Sequence, residues 1–168
     1  STTFAINNAY SDIASGLANT ILVINPEIST PFVNFTHRDK HFIFGDGCAA
    51  TVIQKDSTSD KSFKILDRKL YTQFSNNIRS NYSYLNRAAI DTKDNEDLLF
   101  HQNGRGVFKD VCPLVAKLIT DQLELNKIDP KEISKFWLHQ ANGKMIRLIT
   151  SKILGTDDFD SSITPMPI

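Results

Sequence analysis

"FWLHQANGKMIRLI", residues 136–149, decides how the chain is read. An apolar run ends on His139, small and polar residues follow, and helical spacing sets in from about Asn142. The pattern predicts a strand over "KFWLH", residues 135–139, then a helix running to Leu154 and stopped by Gly155. A strand feeding a helix puts the imidazole at the carboxyl edge of a sheet, where the crevices of α/β proteins lie. A partly exposed structural histidine would fit the same pattern, so periodicity alone leaves both roles open.

Working outward, residues 106–125 return to helical period, with Pro113 either kinking that helix or lying within its first turns. It is expected to be buried on most of its circumference. Asp129-Pro130 opens a short helical turn, and "SSITPMPI", residues 161–168, reads as the start of a strand. Near the other end, Ile6, Ala9, Tyr10, Ile13 and Leu17 share one face of a helix over residues 4–17. The run Ile21–Ile24 predicts a strand buried on both faces. "HRDKHFIFGDGCAATVIQ", residues 37–54, carries a second strand broken at Gly45-Asp46-Gly47, where two glycines suit a tight turn or bulge. The polar stretch 55–62 marks a boundary between two lobes, 1–56 and 57–168. Beyond it, residues 63–74 read as a strand and 75–97 as a long loop of the kind that carries function.

Lys plus Arg and Asp plus Glu both number 19, so no global basic field invites nucleic acid or an anionic membrane. The apolar runs fall far short of the roughly 20 residues a membrane span needs. Cys48 and Cys112 sit in apolar surroundings at no metal-ligand spacing and read as reduced core residues, which fits a cytoplasmic protein. His37 and His41 are spaced like helical zinc ligands but fall on loop and strand, so no metal is expected. The first residues, Ser-Thr-Thr-Phe, and the last, Pro167-Ile168, both read as cut ends.

Three ordered motifs carry a resemblance. His139-Gln-Ala-Asn142, Phe44-Gly-Asp-Gly47, and Asn103-Gly-Arg105 with Val107-Phe-Lys109 resemble the catalytic-histidine motif, the glycine turn and the opening of the long core helix of β-ketoacyl-acyl carrier protein synthase III, a thiolase-superfamily ketosynthase. The resemblance covers nearly all of the chain but only the middle and later half of a family member. It implies a thiolase-like layered α-β-α-β-α fold, present in part.

It also implies an acyltransferase that condenses an acyl thioester with malonyl-acyl carrier protein, with loss of carbon dioxide. His139 would be the hydrogen-bond donor to the thioester oxygen, neutral and with its proton aimed at the developing charge. By the same resemblance the nucleophilic cysteine falls just before Ser1 and a second donor, an asparagine, beyond Ile168. Neither Cys48 nor Cys112 takes the nucleophile's place, and the chain alone is expected to be inactive.

Further roles follow only from the resemblance. Arg38 matches an arginine against the adenine of coenzyme A; Gly104, Arg105, Phe108, Ala141 and Asn142 match the walls of the pantetheine channel. Arg105 stands where some members have asparagine. Asn142 would also suit the cap of the following helix. Lys144 and Arg147, on one helical face, match the basic surface offered to acyl carrier protein. No cofactor is implied beyond the coenzyme A thioester substrate, and the assembly implied is a homodimer. The stretch 73–97 resembles a branch making special lipids or aryl products. An alternative reading is a catalytically inactive thiolase-like partner subunit or acyl-thioester-binding fragment.

Overall fold

A computed structural model describes residues 2–36, 38, 41–42, 44–57, 59–80 and 99–166. These fall into two compact units, one holding the described residues up to Phe74 with Leu99, the other Ser75 to Ser80 with Phe100 onward.

In the first unit, helix α1 (Thr2–Ala14) packs on a sheet of two antiparallel strands, β1 (Thr20–Glu27) and β2 (Gly47–Gln54). The helix stops three residues short of the predicted Leu17 because Gly16 turns left-handed at φ 79°, a conformation that ends helices. The strands pair in register from Thr20 opposite Gln54 to Glu27 opposite Gly47. Val23 is buried, whereas Leu22 and Ile24 are 57% and 58% exposed. Burial on both faces is therefore not found: alternate side chains of a strand point to opposite faces, and among the described residues only one face is covered.

The segment Phe44–Gly47 differs from expectation as well. Strand structure begins only at Gly47, and neither Gly45 nor Gly47 has a positive φ or a neighbour that a Cβ would meet. The organiser is Asp46, whose carboxylate accepts the backbone N–H of Ser29 at 2.8 Å and of Thr30 at 2.9 Å and the Thr30 hydroxyl at 2.7 Å. Residues 63–74 form no strand either. Phe63 and Phe74 are 100% and 85% exposed, and the segment is tethered through Arg68, which donates to the Asn7 carbonyl and lies 3.9 Å from the Tyr10 ring centroid.

The second unit is built on two helices, α2 (Gly104–Leu125) and α3 (Gly143–Leu154), that pack together. Beside them is a short antiparallel pair, β3 (Ile78–Arg79) with β4 (His101–Gln102). Cys112 and Ala116 from α2, Ile149 and Ile153 from α3, and Phe136 form the core, with Phe108, Val115 and Leu138 packed against it. Each fully buried large apolar side chain contributes roughly 1.5–3 kcal/mol. Pro113 lies inside α2 on its exposed side. That helix buries a stripe rather than most of its circumference: Lys109, Asp110 and Lys117 are exposed, and Lys117 pairs with Asp121 at 2.8 Å.

The predicted strand 135–139 is not a strand among the described residues. It runs beside residues 162–165 in parallel sense, Phe136 N–H donating to the Ile163 carbonyl at 2.8 Å. The next bond of a parallel ladder would come from the N–H of residue 165, and Pro165 has none. Residues 161–163 form a single 3-10 turn capped by Asp160.

Candidate active site

The helix that follows His139 starts where it does because of Asn142. Its backbone is extended, and its Oδ1 accepts the N–H groups of Lys144 at 2.9 Å and Met145 at 3.3 Å, filling two of the donors that a helix start leaves orphaned. At the other end Gly155, at φ 69°, closes α3. Ile146, Ile149 and Ile153 bury the inner face, and the hydroxyl of fully buried Thr150 bonds back to the Ile146 carbonyl at 2.9 Å.

His139 stands exposed at the rim of an apolar cavity of about 90 Å³ between α2 and α3. Val111 and Val115 of α2, Met145 and Ile149 of α3, and Leu138 form its walls; Ala141 and Asn142 complete the rim. The structure thus brings His139, Ala141 and Asn142 together at one mouth. An imidazole placed there has an apolar wall on one side and open space on the other, so a ligand seated on the cavity would meet a hydrogen-bonding ring at its edge.

Gly104 and Arg105 lie exposed in the first turn of α2, and half-buried Phe108 packs one turn on. Asn103 caps this helix, its Oδ1 accepting the Gly106 N–H at 3.2 Å. Asn77 lies against that turn: its carbonyl accepts the Asn103 N–H at 2.7 Å and its side-chain amide donates to Asp110 at 2.8 Å. On α3, Lys144 is exposed, while Arg147 donates to the Asp157 carbonyl at 3.0 Å and lies 5.3 Å from the Phe159 ring centroid. Arg38, in the first unit, is exposed, with His41 Nδ1 3.0 Å from its carbonyl oxygen.

The cysteines differ from each other. Cys112 is buried, and burial pushes its thiol pKa up against the opposing charge of Lys152, so it is a poor nucleophile. Cys48 is exposed rather than in the core, because its strand has no cover on that side among the described residues. His37 and residues 81–97 lie outside the described residues; among those described, no cluster of His, Cys, Asp and Glu could hold a metal. Nor is any described helix long and apolar enough to cross a membrane.

Two contributors gave no signal in the sequence. Gln140 sits inside the quoted motif, yet only the fold shows its amide donating to the Leu138 and Pro165 carbonyls, both at 3.0 Å. Asn77 falls in a polar stretch with no periodicity to mark it.

Residues 1–73 match the family model of 3-oxoacyl-[acyl-carrier-protein] synthase III. A β-ketodecanoyl-[acyl-carrier-protein] synthase of Pseudomonas aeruginosa is 50% identical over 159 residues, covering 94% of this chain and 45% of that protein. The chain is synthase III-like over nearly all of its length. A further relative, the β-ketoacyl-[acyl-carrier-protein] synthase III of Chlorobium phaeobacteroides, is 32% identical over 92% of this chain and 47% of its own length. The crystal structure of the family enzyme from Aquifex aeolicus superposes with a TM-score of 0.77 at 25% identity, over 98% of this chain and 47% of that one. The Pseudomonas aeruginosa synthase III structure gives 0.75 at 17% identity, over 91% and 46%, a likeness of fold alone. The α/β fold of the family, thiolase-like and present in part, is therefore the fold of this chain. The chain spans about half the length of the relatives it matches.

Proposed function

We propose that the whole protein carrying this chain is an acyltransferase that condenses an acyl thioester with malonyl-acyl carrier protein to a β-ketoacyl thioester. The observation that carries the reading is the 50% identity, over nearly the whole chain, to a protein named for that product class. Residues 1–56 would belong to the later part of a first lobe and 57–168 to most of a second.

In the reaction, the bond between the malonyl carboxylate and its α-carbon breaks and carbon dioxide leaves. The electron pair passes into the thioester as an enolate. His139 donates a hydrogen bond to that oxygen as the charge develops, a preorganised donor that needs no rearrangement at the moment of reaction. The carbanion then attacks the acyl group held on a cysteine thiolate, which departs as the new carbon-carbon bond forms. The position of His139 at the rim of the apolar cavity supports this role.

Ala141, Asn142, Gly104, Arg105 and Phe108 would line the pantetheine arm and Arg38 would stack on the adenine of coenzyme A, as a planar guanidinium suits. Lys144 and Arg147 would face the acidic carrier protein, where complementary charge speeds encounter more than it tightens binding. Arg147, already stacked on Phe159, would present its remaining donors in a fixed direction. The protein would act as a cytoplasmic homodimer, with coenzyme A thioesters as substrates and no other cofactor, and without nucleic acid or membrane. The preferred acyl donor would be medium-length, two carbons shorter than the β-ketodecanoyl product in the relative's name.

The test supplies the full-length protein with malonyl-acyl carrier protein and acyl-CoA donors of several lengths. The product mass and released carbon dioxide are then read. Condensation is expected, best with an eight-carbon donor, and His139→Ala should lower decarboxylation by about a hundredfold or more. Binding of acyl-CoA with no release from any donor would replace this reading with that of an inactive partner subunit.

A further inference from the structure

We propose that Gln140 is a positioning residue for His139: its side-chain amide clasps the turn that carries the imidazole to residues 163–165 and fixes the ring's direction. The proposal rests on His139 being the hydrogen-bond donor of the reaction described above.

The geometry is that of a ladder broken and then repaired by a side chain. Residues 135–140 and 162–165 advance together: Lys135 Nζ bonds the Ser162 carbonyl, Phe136 N–H the Ile163 carbonyl, and Gln140 the Pro165 carbonyl. Pro165 has no N–H, so the rung that would return to the Phe136 carbonyl is missing. At that point the Gln140 amide takes over. Its Nε2 carries two N–H donors, and the two acceptors it meets, the Leu138 and Pro165 carbonyls, lie one on each segment at 3.0 Å.

The Leu138 carbonyl belongs to the peptide unit leading directly into His139. Gripping that unit restrains the backbone from which the imidazole projects, while Asn142 restrains the other side by starting α3. Gly143 completes the fit, since a Cβ there would stand 3.2 Å from Met166 Sδ, so the turn and the segment after Pro165 are in close contact. His139 itself is exposed at the rim of the cavity, with an apolar wall on one side only, so the precision its role demands has to come largely from its neighbours. Positional errors near 1 Å in such groups cost on the order of a hundredfold in rate.

Two substitutions in the full-length protein test the clasp. Gln140→Glu keeps the shape but replaces the donating amide by an acceptor-only carboxylate facing two carbonyls, and Gln140→Leu removes the polar group altogether. Both are expected to lower kcat for malonyl decarboxylation by about tenfold or more with KM within about twofold of wild type. Gln140→Lys, which retains N–H donors, should recover part of the loss. In parallel, the NMR signals of the His139 ring should broaden or split in Gln140→Glu, and this reads the clasp whether or not the protein turns over.

Wild-type kcat and an unchanged ring signal in Gln140→Glu overturn the inference and leave the proposed function standing. A fall in kcat accompanied by a parallel rise in KM, with the ring signal unchanged, also overturns it. If the wild-type protein releases no carbon dioxide, the functional reading fails, and the ring signal alone decides whether Gln140 positions His139. Should Gln140→Leu not fold, Gln140→Glu decides.

Discussion

Asn77 stands so close to Gly106 that a Cβ on that glycine would lie 2.5 Å from the Asn77 side-chain oxygen. Two turns of chain meet there: Asn77 holds Asp110 and Asn103, and Gly106 leaves room for it to do so. Alanine usually stabilises a helix by roughly 0.5–1 kcal/mol over glycine. Gly104 has open space around its Cβ position, so Gly104→Ala should gain up to about 0.5 kcal/mol in denaturant unfolding. Gly106→Ala should lose roughly 0.5–1.5 kcal/mol, because Asn77 must move and its bond to Asp110 goes with it. A stabilising Gly106→Ala would show that Asn77 is dispensable.

Asn142→Ala removes the acceptor for two helix-start N–H groups. It should cost about 1 kcal/mol of stability. Asn142→Asp keeps an oxygen at the same place and should restore most of that, as read from paired unfolding curves.

Cys112 should resist alkylation in the native protein. It is buried and its thiol is held protonated by that burial, so the thiolate is both scarce and out of reach. Mass spectrometry after a maleimide pulse should find Cys112 labelled only once denaturant is added; rapid native labelling would mean that the α2–α3 core opens readily.

Asp46 carries a pH dependence. Hydrogen bonds from the Thr30 backbone and hydroxyl, and from the Ser29 backbone, hold its carboxyl below the usual value of 3.8. A folded pKa below the unfolded one stabilises the fold at every pH above 3.8, and that contribution disappears as pH falls through the lower, folded value. Wild type should therefore be more stable than Asp46→Asn near neutrality, with the gap closing below about pH 4. A gap that stays constant down to pH 2 would remove Asp46 from that role.

The helices were legible because their causes are local. Asn142, Gly155 and the apolar face of α3 lie within one short stretch, and each carries its own signal. The strands were less so, since a strand exists only through a partner. Ile21 to Ile24 found β2, whereas residues 63–74 and 135–139, which also read as strands, have no full ladder among the described residues. In the second case the reason could have been read in advance: Pro165 removes the donor the ladder requires. His139 draws notice at the end of an apolar run, but its proposed role rests on the resemblance carried by the three ordered motifs. Gln140 draws none, because its partners lie 2 and 25 residues away and nothing in composition or period marks an amide that bridges two carbonyls. The glycine turn misled for a similar reason: its glycines drew attention, while the ordering contacts belong to the aspartate between them.

The register of β1 and β2 sets Glu27 directly opposite Gly47, and Asp46 staples the chain as it leaves and re-enters that pair. Whatever lies between, from Ile28 to Gly45, hangs from a closed base. Lengthening such a loop raises its closure entropy only slowly, by about 0.6 kcal/mol per doubling. Exposed positions of that excursion, Phe35, Arg38 and Phe42 among them, can thus be exchanged while the rungs of the sheet stay closed, whereas Val33, 5% exposed, anchors it in the core of the first unit.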